Sequence, residues 1–123
     1  MFSELVALVP TTDPVRARAF YAGTLGLALE DESPFALAFR VGPTRLRVTV
    51  VDQLAPQPFT VLGWVVADIG AAIGSLSQHG VAFERYDALE QDALGVWRAP
   101  SGARIAWFKD PDGNVLSLTQ LTA

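Results

Sequence analysis

The chain contains one pattern twice, and this repeat limits the available folds more than any other feature. The pattern begins with an Asp that is followed four residues later by an Ala, at Asp13 and again at Asp68. The pattern ends with a Gly, three apolar residues and a Glu, at 26–30 and again at 80–84. Asp is a typical helix N-cap, and Gly after a helix is a typical left-handed C-cap. The sequence therefore predicts two similar helices at a nearly constant offset.

Apolar side chains recur at helical spacing inside both predicted helices. In the second helix, Ile69, Ile73 and Leu76 form one stripe at spacings of four and three. Pro14 follows Asp13 at the first helical position, where its missing N–H costs nothing. We expect the first helix to bury a comparable stripe of Val15, Ala19 and Ala22, with Phe20 and Tyr21 beside it.

Strand patterns surround each helix and complete two equal units. Residues 46–50 alternate apolar and polar, as a half-buried strand does. Each half reads β-α-β-β-β, and the proline-containing segment 52–58 is the predicted link. The sequence predicts one α+β domain over 1–123, with module one at about 1–55 and module two at about 56–123. The predicted strands are 4–9, 35–41, 46–50, 59–66 and 114–119, with the intermediate strands of the second half inside the stretch 95–108.

Composition excludes several functional classes. The chain has no Cys, so disulfides, thiolate catalysis and Cys-ligated metals are excluded. A net charge of −4 with only nine Lys and Arg residues disfavours nucleic acid as a partner. No apolar run reaches the roughly 20 residues of a membrane helix, and we read no signal peptide at the N-terminus. The default expectation is a cytoplasmic protein with no membrane partner.

Two motifs carry a resemblance to a known family. The first is Phe-Tyr-x-x-x-Leu-Gly at 20–26, and the second is Asp-Pro-Asp-Gly-Asn at 110–114, which has the chemistry of a tight turn between strands. With these motifs at these spacings, the chain resembles the vicinal oxygen chelate superfamily of glyoxalase I, extradiol dioxygenases and bleomycin-resistance proteins. The resemblance implies two tandem βαβββ modules with curled mixed sheets that form an open cavity. It also implies a homodimer.

The resemblance further implies four positions for metal ligands, where family enzymes carry His and Glu. Counting seven residues back from Asp13 and Asp68 gives Val6 and Val61. Four residues after the turn glycine is Ser117, and the nearest match on the last strand of the first half is Arg47. Valine has no lone pair and a guanidinium repels a cation. We therefore predict no metal, no cofactor and no conventional catalytic residue.

Strand alternation extends this set to a predicted ligand pocket. Three alternatives for Arg47 are open from sequence: it holds a ligand anion, it pairs with a nearby acidic side chain, or it reaches solvent at the cavity rim. The aromatic candidates, including Tyr86, either contact a ligand or pack in the core. Trp97 is the strongest candidate for ligand contact, because a polar, Gly-containing stretch surrounds it. His79 is predicted to be a surface residue at the end of the second helix. The predicted pocket residues are Val6, Leu8, Arg47, Thr49, Val61, Gly63, Trp97, Trp107, Ser117 and Thr119.

These observations favour a binding protein over an enzyme. The primary hypothesis is a metal-independent protein of the glyoxalase/bleomycin-resistance type that binds a small molecule, which is planar or aromatic. One alternative is a lyase or dioxygenase of the same superfamily with an unconventional site. Another is a dimeric structural module whose groove has no ligand.

Overall fold

The computed structural model describes residues 1–122 and divides them into two compact units. Unit 1 comprises Met1–Pro56 together with the turn Asp110–Asn114. Unit 2 comprises Gln57–Lys109 and the chain from Val115 onward. The sequence predicts that the two units form a single domain with the module bounds given above, and this stays a prediction.

Unit 1 is built on a four-stranded mixed sheet. Its spatial order is β1-β4-β3-β2, in which β1 runs parallel to β4 and the other neighbours are antiparallel. In the β1–β4 register, Leu8 lies opposite Arg47. The strands are β1 Val6–Thr11, β2 Ala28–Glu32, β3 Ala36–Val41 and β4 Thr44–Val50.

Unit 2 repeats this topology. Its sheet has the order β5-β8-β7-β6, again with the first strand parallel to the last. The shared order confirms the α+β class and the two βαβββ modules. The predicted strand region 95–108 contains two strands, a two-residue edge strand and a longer one, separated by a turn at 99–103. The strands are β5 Thr60–Val65, β6 Trp97–Arg98, β7 Arg104–Lys109 and β8 Val115–Gln120.

The predicted helix caps are confirmed in both units. Helix α1 spans Pro14–Arg18, and the Asp13 carboxylate accepts a hydrogen bond from the Arg16 N–H at 3.1 Å. Helix α2 spans Ile69–Gln78, with the equivalent bond to Asp68 at 3.0 Å. Gly26 and Gly80 adopt φ values of 70° and 85°, which residues with a Cβ atom rarely adopt. None of the helices in residues 1–122 is long and apolar enough to span a membrane.

The predicted stripe of the first helix is wrong. Val15 is 80% exposed, whereas Ala17 and Tyr21 are at most 1% exposed and Phe20 is 9% exposed. After Arg18 the helix continues as a π-helix, Ala19–Thr24. The two aromatic rings bury far more apolar area than the small side chains that we selected, so they decide which face turns inward.

Each sheet buries one face and leaves the other, here called its open face, without a helix. In unit 1 α1 packs near β3, and Leu46 and Val48 are at most 2% exposed. In unit 2 α2 packs on β7 and β8, and Leu116 and Leu118 are at most 4% exposed. These four side chains lie on the helix side, as strand alternation predicts.

The turn Asp110–Asn114 holds unit 1 together through buried polar contacts. The Asp110 carboxylate accepts hydrogen bonds from the Tyr21 hydroxyl (2.7 Å) and the Asn114 side-chain amide (2.8 Å), and from the backbone N–H groups of Asp112 and Asn114. Asn114 also donates to the Pro10 carbonyl oxygen at 2.9 Å. Burial, together with the nearby carboxylates, raises the pKa of the Tyr21 hydroxyl far above its ordinary value.

Asp112 extends this cluster to the end of β1. Its carboxylate accepts from the Thr11 hydroxyl and from both the N–H and hydroxyl of Thr12, and it lies 3.6 Å from the Arg16 guanidinium. Burial alone raises the pKa of Asp112, but these hydrogen bonds and the Arg16 charge outweigh it and hold the pKa below 3.8. The turn network, as we call Asp110–Asn114 with these partners, therefore satisfies its polar groups internally.

Candidate functional site

The open face of the unit 2 sheet brings together most of the predicted pocket residues of that unit. Gly63, Ser117 and Trp107 lie side by side in register on β5, β8 and β7. The next row runs from Thr119 through Ile105 to Trp97 on the edge strand. Since cross-strand partners point to the same side of a sheet, these residues form one continuous surface.

Three aromatic side chains dominate this surface. The ring centroids of Trp97 and Trp107 are 6.1 Å apart with an interplanar angle of 35°, and the Tyr86 ring meets Trp107 edge-on at 5.5 Å. All three are partly exposed. The Trp107 indole N–H donates to the Thr60 hydroxyl at 3.0 Å, which fixes the orientation of the ring. We call Tyr86, Trp97 and Trp107, with Thr60, Gly63 and Ser117, the aromatic face.

Gly63 and Ser117 make a recess beside the Trp107 indole. A Cβ atom on Gly63 would lie 2.5 Å from the Ser117 Oγ, which is closer than non-bonded atoms tolerate. Only glycine fits there without movement of the serine. The Ser117 hydroxyl makes no hydrogen bond to any other part of residues 1–122, so it can donate to or accept from a bound molecule.

Tyr86 is held by the loop that precedes β6. Its backbone N–H donates to the Gln91 side-chain oxygen at 2.8 Å, and the Gln91 amide donates in turn to the Glu84 and Gly95 carbonyl oxygens. Burial and the Glu84 charge raise the pKa of the Tyr86 hydroxyl, although Lys109 partly offsets them. The phenol is therefore neutral at physiological pH and offers a hydrogen-bond donor at the rim of the aromatic face.

Sequence reasoning did not identify Thr60 as part of this surface. β5 contains a register irregularity between Thr60 and Leu62, so period-two counting fails there. Val61, predicted for the pocket, is 38% exposed and falls within this irregularity, while Thr60 contacts Trp107. No pattern signals the irregularity, because both residues are good strand formers.

The remaining predicted pocket residues lie on the open face of unit 1. Val6 and Leu8 are 47% and 60% exposed, and Arg47 and Thr49 follow the same alternation on β4. The neighbouring arginines have acidic partners, since Arg45 contacts Glu4 at 2.9 Å and Arg40 contacts Glu30 at 3.3 Å. Within residues 1–122, Arg47 has no acidic partner within 4.0 Å.

The residues at the four family metal positions do not fit a divalent metal. Val6 and Val61 have no donor atom, Arg47 carries a positive charge, and a serine hydroxyl alone is a weak ligand. In the described part of the chain, no group of three or more His, Asp or Glu side chains could hold a metal ion. His79 lies at the exposed end of α2, where its Nδ1 is 2.9 Å from the Ser75 carbonyl oxygen.

Comparison with known families agrees with this architecture. The model of the Glyoxalase/Bleomycin resistance protein/Dioxygenase superfamily matches residues 5–118. The chain belongs to this superfamily. No curated protein sequence matches it significantly.

Several solved structures of the superfamily are similar along nearly the whole chain. A putative glyoxalase family protein from Bacillus anthracis superposes with a TM-score of 0.78 at 17% identity, covering 99% of this chain and 97% of that one. A lactoylglutathione lyase from Agrobacterium tumefaciens has a TM-score of 0.74 at 17% identity, with coverage of 96% and 92%. TnmS3, an antibiotic binding protein from Streptomyces sp. CB03234, has a TM-score of 0.76 at 26% identity, with coverage of 99% and 98%. The first two similarities concern the fold alone.

Proposed function

We propose that this superfamily member binds a planar small molecule on its aromatic face and needs no metal to do so. The observation that carries the proposal is the row of Gly63, Ser117 and Trp107, flanked by Tyr86 and Trp97. A flat ligand lies in the recess against the Trp107 indole, and the Ser117 hydroxyl bonds to a polar atom at its edge. Indole and phenol rings provide broad rigid contact with one polar atom each, as ligand sites commonly do.

Two further observations support binding rather than metal-assisted chemistry. The four family metal positions carry no usable set of ligands, and Lewis-acid activation of a substrate needs such a set. In addition, the similar structure of TnmS3 is that of an antibiotic binding protein. We extend only the property of small-molecule binding to this chain, and the proposal leaves the identity of the compound open.

Tryptophan fluorescence tests the proposal directly. Phenazine serves as a planar neutral probe, and adamantanemethanol serves as a probe of similar apolarity without a flat face. We expect saturable quenching by phenazine, weakened about tenfold or more in Trp107→Leu because the stacking surface is lost. Adamantanemethanol should bind much more weakly than phenazine.

Trp64→Phe is the matched control. Trp64 pairs with Leu118 in the sheet and therefore points to the helix side, away from the aromatic face. This variant should bind phenazine with unchanged affinity, although it also loses an indole. Equal weakening in Trp64→Phe and Trp107→Leu, or no saturable quenching in the parent protein, would sink the proposal.

The enzymatic alternative and the remaining expectations have their own tests. A lyase or dioxygenase should turn over methylglyoxal–glutathione adducts or catechols after addition of Ni, Mn or Fe(II), whereas the binding protein should not. We also propose that the protein is a homodimer in the cytoplasm. Analytical ultracentrifugation tests the first statement, with a single species of twice the chain mass of 13.2 kDa as the expected result.

A further inference from the structure

A second cavity of about 630 Å³ lies at the edge of the unit 2 sheet, beyond strand β6. Its wall includes the start of α2, the loop before β6 and the ends of β6 and β7. A volume of this size accommodates a small organic molecule. Because Arg98 and Arg104 have the same parity as the buried residues of β7, they lie on the helix side of the sheet, opposite to the aromatic face. Trp97 lines this cavity and is also part of the aromatic face.

Two arginines in this cavity are direct cross-strand neighbours. Arg98 on β6 lies opposite Arg104 on β7, and both are exposed. Like charges directly opposite in a sheet repel each other and destabilise the pair. Within residues 1–122, neither guanidinium has a carboxylate partner within 4.0 Å, whereas Arg16, Arg18, Arg40 and Arg45 each have one. The repulsion is therefore not relieved by the protein itself.

Two carboxylates line the same cavity, but within residues 1–122 neither forms an ion pair with either arginine of the pair. The Asp92 side chain accepts hydrogen bonds at 2.9 Å from the backbone N–H groups of both Leu94 and Val96, which holds it in its own loop. Glu90 is exposed and forms no ion pair with either arginine. The cavity is thus lined by two guanidinium groups without ion-pair partners in residues 1–122 and by two carboxylates, of which Asp92 is bound to its own loop through Oδ1.

The other walls favour an anion with an apolar body. The start of α2 contributes Ile69 and Gly70, and the Gln120 side-chain oxygen accepts from the Ile69 N–H at 2.9 Å, which ties the helix start to the strand beside Arg104. Leu94, Val96 and the Trp97 ring supply apolar surface around this helix start.

We propose that the edge cavity is a binding site for a small organic oxyanion, either a carboxylate or a phosphate monoester. Arg98 and Arg104 hold the oxyanion by charge-assisted hydrogen bonds, which guanidinium groups form in bidentate geometry. The apolar part of the ligand lies against Ile69, Leu94 and Val96. The cationic residues of this site lie on the other side of the sheet from the aromatic face, although Trp97 lines both.

NMR titration of the intact protein tests this site without involving the aromatic face. The probes share a non-aromatic ring: cyclohexanecarboxylate, cyclohexyl phosphate and the neutral cyclohexylmethanol. We expect saturable shifts of the Arg98 and Arg104 side-chain Nε–H signals with at least one of the anions and none with the alcohol. The anion that binds more tightly distinguishes the carboxylate from the phosphate class.

Variants of the two arginines distinguish a specific anion site from nonspecific electrostatic attraction of anions. Arg98→Gln/Arg104→Gln should weaken anion binding about tenfold or more, because both charge-assisted contacts are lost. Arg98→Lys/Arg104→Lys keeps the charge and should still lose several-fold in affinity, because lysine cannot bind bidentately. Arg18→Gln, which removes an equal charge in unit 1, should change nothing. Equal binding of the alcohol, or unchanged anion affinity in both double variants, would overturn the proposal.

Discussion

The turn network of unit 1 and the aromatic face of unit 2 use polar groups in opposite ways. The Asp110 carboxylate receives four hydrogen bonds from its surroundings and is 5% exposed. On the aromatic face, the Trp107 indole has one hydrogen-bond partner, the Ser117 hydroxyl has none in residues 1–122, and the three rings stay partly exposed. One region is complete without a ligand, and the other offers surface and a polar group to one.

This difference separates the residues that mark the family from those that give this chain its proposed activity. The Asp-Pro-Asp-Gly-Asn turn carries the resemblance, yet its side chains bond within unit 1. A buried, fully satisfied network stabilises and specifies one conformation. The recess beside Trp107 depends instead on small residues at Gly63 and Ser117. Substitutions in the two regions should therefore have separable effects on stability and on ligand affinity.

The largest effect should come from Asp110→Ala. Removal of the carboxylate leaves the Tyr21 hydroxyl, in a residue that is 1% exposed, and one of the two Asn114 side-chain N–H groups without an acceptor. Each orphaned buried polar group costs roughly 1–3 kcal/mol, so the free energy of unfolding should fall by about 3 kcal/mol or more. Urea denaturation followed by circular dichroism measures this loss.

Asp31→Ala is the control for that substitution. Its carboxylate is exposed and contacts only the next backbone N–H, so the loss should be within about 0.5 kcal/mol. In the folded fraction of Asp110→Ala, phenazine affinity should equal that of the parent protein. A large drop in affinity at unchanged stability would contradict the division between the two regions.

An intermediate effect is expected from Gly63→Ala. The new Cβ would meet the Ser117 Oγ at 2.5 Å, so the serine must rotate or the strands must separate. Overpacking of this kind costs about 1–3 kcal/mol, and the methyl group also fills the recess and should weaken phenazine binding. Urea denaturation and fluorescence titration report the two losses separately.

A double-mutant cycle makes this prediction specific. Ser117→Ala removes the clashing oxygen, and Gly63→Ala/Ser117→Ala should recover most of the lost stability, because contacting residues are coupled by about 0.5–3 kcal/mol. Phenazine affinity should stay reduced in the double variant, since the recess is still filled. Additive stability losses would mean that the Gly63–Ser117 contact is not the cause.

The smallest effect concerns pH and the turn network. The pKa of Asp112 is held below 3.8 in the folded protein, so its ionised form stabilises the native state above that value. This stabilisation is lost as the pH falls from 3.8 through the lower folded-state pKa. Asp112→Asn should therefore lose less stability than the parent protein over the same acid range. Parallel curves of unfolding free energy against pH would contradict this assignment.

Sequence reasoning was most successful where a local pattern has a single physical outcome. Asp13 and Asp68 cap their helices as expected, and Leu46, Val48, Leu116 and Leu118 lie on the buried side as alternation requires. Trp97 and Trp107 were identified as site candidates because they fall in strands of the second half, and they do meet. Such features depend on neighbours in the chain, which the sequence displays.

It failed where the outcome depends on distant packing. The first helix buries Phe20 and Tyr21 and leaves Val15 exposed. Tyr21 donates a hydrogen bond to Asp110, which lies far along the chain, and the sequence does not display this contact. The irregularity at Thr60 has no local signature either. The pairing of Arg98 with Arg104 depends on the position of the turn between β6 and β7, which the sequence did not indicate, so the edge cavity was not predicted.

One titration tests the central claim that the aromatic face binds a planar ligand without a metal. Phenazine is added to protein that has been treated with a strong chelator and dialysed, and again after addition of Ni, Mn, Zn or Fe(II), for the parent, Trp107→Leu and Trp64→Phe. The account predicts saturable quenching of equal affinity with and without metal, about tenfold or more weaker only in Trp107→Leu. Binding that appears only after a metal is added, or that survives Trp107→Leu unchanged, would contradict it.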